Sequence, residues 1–172
     1  MPRRGFTTVE IVITITIMGI LLVLAFANLT ASQARARDEE RRGDIDSIAQ
    51  HLESFYKNGA GVSGELLGRY PSTGIMSSES TIREALVNID PRSLQAPGAA
   101  SVTSSFVAAT NALQTTDGIS PQPTATKYVY QPLSWTGSSW ALCTGSQECR
   151  RFNLYYRLEA DDTIYKVTSK NQ

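Results

Sequence analysis

The sequence predicts an α+β fold in which one long N-terminal α-helix, apolar in its first half and amphipathic in its second, packs on a small C-terminal antiparallel β-sheet of about four strands. Three observations predict it. An apolar run occupies Ile11 to Ala27, interrupted only by Thr14, Thr16 and Gly19. A stripe of apolar residues at helical spacing follows from Ile45 to Tyr56, and from Lys127 onward the apolar period falls to two. The first two patterns require a helix and the third requires strands.

The apolar run is about long enough to span a bilayer core. It is preceded by a basic stub, Met1-Pro2-Arg3-Arg4-Gly5, and by Phe6-Thr7-Thr8-Val9-Glu10. Glu10 is the one carboxylate at its start, and in hydrocarbon a lone carboxylate costs several kcal/mol unless it finds a partner. Thr14 and Thr16 are tolerable there because a threonine hydroxyl can bond back to the carbonyl one turn earlier. Ile13 to Ile17 alternates like a strand, but the whole run far exceeds an ordinary strand. An uncleaved signal anchor has the same outline. So does a secretory signal cut near Ala25-Phe26-Ala27, although such signals avoid a glutamate beside Arg3 and Arg4.

Leader, spacing and apolar length together resemble the type IV pilins and pseudopilins, whose precursors carry a short basic leader ending in Gly, then Phe, three residues, Glu and an apolar helix. The matching residues are Gly5, Phe6, Glu10 and the Ile/Val/Leu run. The resemblance implies that a prepilin peptidase cuts after Gly5 and methylates the new amine of Phe6. It implies that the precursor sits in membrane lipid as a single pass with its N-terminus in the cytoplasm, and that an assembly platform then bundles the helices into an extracellular filament of this chain and related pilins. It further implies that Glu10 pairs with the Phe6 ammonium of a staggered neighbour. Two such charges are each costly when buried and tolerable together, and methylation leaves the amine charged. The charges alone do not orient the helix, since Arg3 and Arg4 lie on one side and Arg35, Arg37, Arg41 and Arg42 on the other. Many pilins have a helix-breaking Pro where this chain has Ala27. Here Gly19 is the remaining weak point, costing about 1 kcal/mol relative to Ala in an exposed helix.

Beyond Ala27, Ser32 to Asp44 is polar on every side, with opposite charges at helical spacing such as Asp38 with Arg41 and Arg42. It offers no apolar face for packing. From Ile45 the pattern Ile45, Ile48, Ala49, Leu52, Phe55, Tyr56 predicts a face buried under a globular domain. Asn58-Gly59 and the Gly61/Gly64 stretch end the helix. A helix from Phe6 to Tyr56 is roughly 75 Å long. The expected division is therefore a leader at 1–5, a membrane and filament-core helix at 6–27, its polar then amphipathic continuation at 28–58, and an α+β head at 59–172.

In the head, Tyr70-Pro71-Ser72 is similar to the segment that leaves the long helix in many pseudopilin-like proteins. Thr81 and Glu84 predict a capping box ahead of a short helix through Ile82, Ala85, Leu86 and Ile89, ended by Asp90-Pro91. Ala96 to Thr126 is rich in Ala, Ser, Thr, Gly and Pro. Within it, Phe106, Val107, Ala109, Ala112 and Leu113 suggest one more short helix, and the remainder reads as exposed loop. Four β-like runs follow: Tyr128 to Tyr130, Trp140 to Leu142, Phe152 to Leu158 and Thr163 to Val167. Thr136-Gly137-Ser138, Thr144-Gly145-Ser146 and Asp161-Asp162 form the turns between them.

Cys143 and Cys149 bracket five residues between two predicted strands, close enough to face each other across a hairpin outside the cytoplasm. A disulfide between them is expected, against two free thiols or half of a metal site. No catalytic constellation emerges, so an enzyme is not expected, nor a cofactor or metal. His51, the single histidine, lies beside Leu52 in the helical stripe. Asp161-Asp162 and Asp117-Gly118 lack the ligand number calcium needs and read as turns. Asn28-Leu29-Thr30 has the form of a glycosylation sequon but sits inside the helix.

The chain has 16 basic and 16 acidic residues, and losing Arg3 and Arg4 with the leader leaves 14 against 16. That balance gives no strong electrostatic grip on nucleic acid. Arg150 and Arg151 beside Phe152, Tyr155 and Tyr156 offer a weak site for single-stranded DNA by charge and stacking. The function expected is a structural subunit of a type IV pilus-like filament serving adhesion, twitching motility or DNA uptake. The alternatives are a pseudopilin of a type II secretion system and a membrane-anchored extracellular binding domain that never polymerises. The Ala96 to Thr126 loop and the Cys143 to Cys149 turn are the expected partner-facing surface.

Overall fold

The computed structural model describes residues 5, 7–59, 67–145 and 147–171, with the side chains of Ala27 and Asn28 left aside. One unbroken helix, α1, runs Thr8–Asn58, about 76 Å at 1.5 Å per residue. It starts at Thr7, whose hydroxyl accepts the Glu10 amide at 3.2 Å. It stops at Gly59, whose left-handed backbone (φ 58°) turns its N–H onto the Phe55 carbonyl. A side chain would strain that φ, so glycine is the residue that ends the helix there.

After α1 come a 3₁₀ turn at Ile75–Ser77, α2 at Glu79–Ala85, a second 3₁₀ turn at Pro91–Leu94 and α3 at Val102–Ser105. The strands are β1 (Phe106–Ala108), β2 (Tyr128–Trp135), β3 (Trp140–Leu142), β4 (Cys149–Arg157) and β5 (Ile164–Thr168). They form a mixed sheet in the order β1-β2-β4-β5, with β3 also paired to β2. The four predicted runs are β2 to β5, and they pair with one another antiparallel.

The fifth strand corrects the sequence reading. Phe106 to Ala108 was expected to be helical, yet α3 is only the four residues before it, and Phe106, Val107 and Ala108 pair in parallel with Tyr128, Val129 and Tyr130. Tertiary pairing overrides a weak helical pattern of small residues. The cap of α2 is also displaced: Ser78 caps it and Thr81 is its third residue, the Ser78 hydroxyl accepting the Thr81 amide at 3.3 Å. Asp90-Pro91 does not end that helix but begins the second 3₁₀ turn, where the Asp90 carboxylate accepts the Arg92 amide.

The predicted stripe is the core face of α1, with Ile45, Ile48, Leu52 and Phe55 buried and Ala49 and Tyr56 partly so. At about 2 kcal/mol per side chain, those four contribute on the order of 8 kcal/mol of gross burial, an upper bound. They meet a continuous aromatic path, Tyr56–Tyr70–Phe152–Tyr130–Phe106, with ring centroids 4.8 to 6.1 Å apart. Tyr128 and Tyr130 face this core, while Val129 points to the opposite face and packs with Ala109, Ile119 and Tyr155. The period of two in β2 thus divides two cores.

The stretch from Ala96 to Thr126 is more folded than its composition suggested. Ala96, Val102, Phe106, Ala109 and Ile119 are buried. Residues 109–122 lie over the outer face of the sheet, held by Gln131. Its amide nitrogen donates to the carbonyls of Asn111 and Leu113, both at 3.0 Å, and its amide oxygen accepts from Asn153 and Tyr155. A buried amide with every group satisfied anchors the loop where apolar residues are few.

Candidate functional site

The feature that demands a functional account is the first half of α1. Every described side chain from Thr7 to Phe26 is exposed, and Val9, Ile11 to Ile13, Ile15, Ile17, Met18, Ile20 to Leu24, Phe26 and Leu29 each show 48% or more of their surface. Apolar groups therefore cover all sides of the helix. A surface of that size in water is a binding surface by default, and this helix is long and apolar enough to cross a membrane. The hydroxyls of Thr14 and Thr16 donate to the carbonyls of Glu10 and Val12 at 2.7 and 2.8 Å, so neither needs water. The helix continues across Gly19 without a break.

Glu10 lies in the first turn of α1. There the unpaired amides and the helix dipole favour a negative charge. Among the described residues no group donates to its carboxylate, which is exposed. Gly5 is described and exposed; Phe6, Arg3 and Arg4 lie outside the described residues.

Where the apolar half ends, a polar clamp fixes the head to the helix. The Asp38 carboxylate accepts the backbone amides of Glu159 and Ala160 at 2.7 and 2.9 Å, capping the loop between β4 and β5. Arg41, 1% exposed, donates to Asp38 at 2.7 Å, to the Ala125 carbonyl at 2.7 Å and to Glu159 at 3.2 Å. Arg37 grips Glu159 from the solvent side through two nitrogens. Asp44 receives the Tyr128 hydroxyl at 2.8 Å.

Sequence reading found no face for packing here, because it sought apolar residues. The signal was present in the spacing. Asp38 and Arg41 continue the Ile45, Ile48, Leu52, Phe55 stripe toward the N-terminus in steps of three and four.

The surroundings set the charges. Burial pushes Asp38 up, but the two amides and Arg41 outweigh it and hold the carboxyl below its ordinary value. The Arg37 hydrogen bond, with Arg41 adding to it, brings Glu159 down to about 2. Burial raises Asp44 to about 6, with the charges of Glu40 and Asp90 adding to it, although Tyr128 and Ser93 hydrogen-bond to it.

Cys143 and Cys149 are joined as a disulfide. Both are buried, and the carbonyls beside them receive the amides of Thr73 and Tyr70 at 3.0 and 2.8 Å. The bridge therefore holds the segment that follows the long helix, with Pro71 in turn accepting the Tyr130 hydroxyl.

The aromatic half of the DNA-binding expectation does not hold. Phe152 and Tyr155 are fully buried and Tyr156 is nearly so, so none of these three rings is open for a base to stack on. Arg150 pairs with Glu148, and Arg151 lies 4.4 Å over the Trp140 ring. His51 bonds through Nδ1 to the Ser47 carbonyl on its own helix. Among the described residues no group of three or more His, Cys, Asp or Glu side chains is placed to hold a metal.

No protein-family model matches the chain, and no solved structure matches it. Among curated proteins it is similar to the type II secretion system core protein G of Pectobacterium carotovorum subsp. carotovorum, with 29% identity over 96 residues, 56% of each chain. It is also similar to the type IV major pilin protein PilA of Myxococcus xanthus (strain DK1622), with 36% identity over 56 residues, 32% of this chain and 26% of that one. The match spans about half the length of the first relative and about a quarter of the second. The chain is thus similar, over part of its length, to a type II secretion pseudopilin and to a type IV pilin, and its long apolar helix docked on an α+β head agrees with that likeness.

Proposed function

We propose that this chain is a structural subunit of a type IV pilus-like filament, made as a membrane-anchored precursor and polymerised through the first half of α1. One observation carries the reading: the same unbroken helix is docked on the head from Asp38 onward and is exposed and apolar on all sides from Ile11 to Phe26. Lipid covers that surface in the precursor and neighbouring helices cover it in the filament. In this reading residues 1–5 are a leader removed by a prepilin peptidase, Phe6 becomes the methylated N-terminus, 6–27 forms the filament core, 28–58 carries the head and 59–172 is displayed outside the cell. The N-terminus lies in the cytoplasm before extraction by an assembly platform. Glu10 takes the Phe6 ammonium of a neighbour as its partner, and Gly19 is where the helix yields if it yields at all. Adhesion, motility and DNA uptake are the tasks open to such a fibre.

A second reading, a pseudopilin of a type II secretion system, is favoured by the larger share of this chain that the secretion protein covers, 56% against 32%. The deciding experiment is the mass of the N-terminal peptide in protein sheared from the cell surface. N-methyl-Phe6 there is the expected result. An intact Met1, or a cut near Ala27, overturns the filament reading and leaves an anchored or secreted domain. If N-methyl-Phe6 is found only in the membrane fraction and loss of the chain blocks protein secretion, the pseudopilin reading takes its place.

A further inference from the structure

The chain has two tryptophans, and both stand at one point, the hairpin between β2 and β3. Trp135 and Trp140 are directly paired across the strands, and their rings meet edge to face at 5.3 Å. Trp140 is covered on one side by the Arg151 guanidinium at 4.4 Å. Trp135 is left 52% exposed, with its ring resting against that of Trp140. Burial does not explain it, and a fixed, exposed indole is a contact group whose ordering has been completed before a ligand arrives.

Position and surroundings limit the ligand. The hairpin lies at the end of the sheet remote from the apolar helix: Ser134 pairs with Cys149, whose carbonyl binds Tyr70 just beyond the top of α1, whereas the opposite end of β4 meets Asp38. A lipid surface around the first half of α1 is therefore out of its reach. The nearby charges are already engaged, Glu148 with Arg150 and Arg69, and Arg151 with Trp140 and Gln114. Nucleic acid calls for a basic track and successive stacking rings, and only one ring here is open. The hairpin itself presents Thr136, Ser138 and Ser139, all exposed, around Gly137. One open aromatic face on a hairpin that carries exposed hydroxyls, two of them tied together as Thr136 and Ser139, with the neighbouring charges engaged, suits the C–H face of a sugar ring.

We propose that the Trp135–Trp140 hairpin is a contact site for an uncharged polysaccharide, with Trp135 stacking on a hexopyranose and the hairpin hydroxyls hydrogen-bonding its hydroxyls. The site needs neither processing nor polymerisation, so its failure and that of the filament reading are separable. Because both tryptophans belong to it, tryptophan emission from the wild-type full chain in detergent micelles reports on this site alone. Titration with hydroxyethylcellulose or galactomannan should shift the emission and protect it from acrylamide quenching in a saturable way. Trp135→Ala should weaken retardation in gels containing the same polysaccharide by about tenfold, and Trp135→Phe, which keeps a ring, by less. The proposal is overturned if neither polysaccharide changes the emission, if polygalacturonate or an oligo-dT strand binds in preference to both, or if Trp135→Ala binds as the wild type does while its thermal midpoint is unchanged.

Discussion

Arg41 shows how a charged side chain can serve as core. Its guanidinium is almost fully buried between the helix, the Ala125 carbonyl and two carboxylates, so its removal leaves Asp38 buried beside a lost cation. Breaking a buried pair by deleting one partner costs about 3 kcal/mol or somewhat more. Arg41→Met should therefore lower the thermal midpoint of the full chain in micelles by roughly 10 °C, given about 2 to 4 °C per kcal/mol for a chain of this size. Arg42 is the control, since its pair with Glu39 is exposed and such pairs contribute at most about 1 kcal/mol. Equal losses from Arg41→Met and Arg42→Met in near-ultraviolet circular dichroism melts would contradict the clamp.

Elements were legible in the sequence to the extent that their residues were apolar and local. The Ile45 to Phe55 stripe, the stop at Gly59 and the four antiparallel runs could be read because each is a short-range pattern with a single physical cause. Strand β1 could not, because Phe106 to Ala108 becomes a strand only through a partner more than twenty residues further along. The loop over the outer face was hidden for a related reason, since Gln131, one of its main anchors, looks like any polar residue until its four bonds are seen. The disulfide is legible from two cysteines six residues apart between strands, and the structure adds what it holds. Replacing both cysteines by serine should cost about 2 kcal/mol for so short a loop. It should also speed hydrogen exchange at the Tyr70 and Thr73 amides, which bond to Cys149 and Cys143, and leave the Ile48 and Leu52 amides unchanged. Uniform acceleration over both sets would mean that the bridge supports the whole head. In α1, a methyl group at Gly19 meets open space. Gly19→Ala should thus stabilise that part of the helix by about 1 kcal/mol, seen as slower exchange around residue 19 in micelles with no change in the melting of the head.

At the scale of the whole molecule, the carboxylates that join head to helix pull stability in opposite directions with pH. Asp44 has a folded-state pKa of about 6 against an ordinary 3.8. Folding therefore favours its protonated form, a contribution complete below pH 4 and lost as pH rises through 6. By neutral pH the ionised, buried carboxylate costs the folded state at most about 3 kcal/mol. Glu159 and Asp38 are shifted the other way, Glu159 from 4.5 to about 2. Their contribution is present above their ordinary values and lost as the pH falls from about 4.5 toward 2. The two limbs together predict greatest stability near pH 4 to 5, rising first as pH drops from neutral and then falling steeply as the clamp is protonated. Asp44→Asn, which keeps an acceptor for the Tyr128 hydroxyl, should remove the neutral limb, raising the midpoint at pH 7.5 and leaving it unchanged at pH 4. Glu159→Gln should instead flatten the acid limb. Thermal melts of the three proteins across pH 2 to 8 separate these effects: a wild-type midpoint that only rises from pH 4 to 8 would show that Asp44 is ionised without cost, and that its hydrogen bonds from Tyr128 and Ser93 offset its burial.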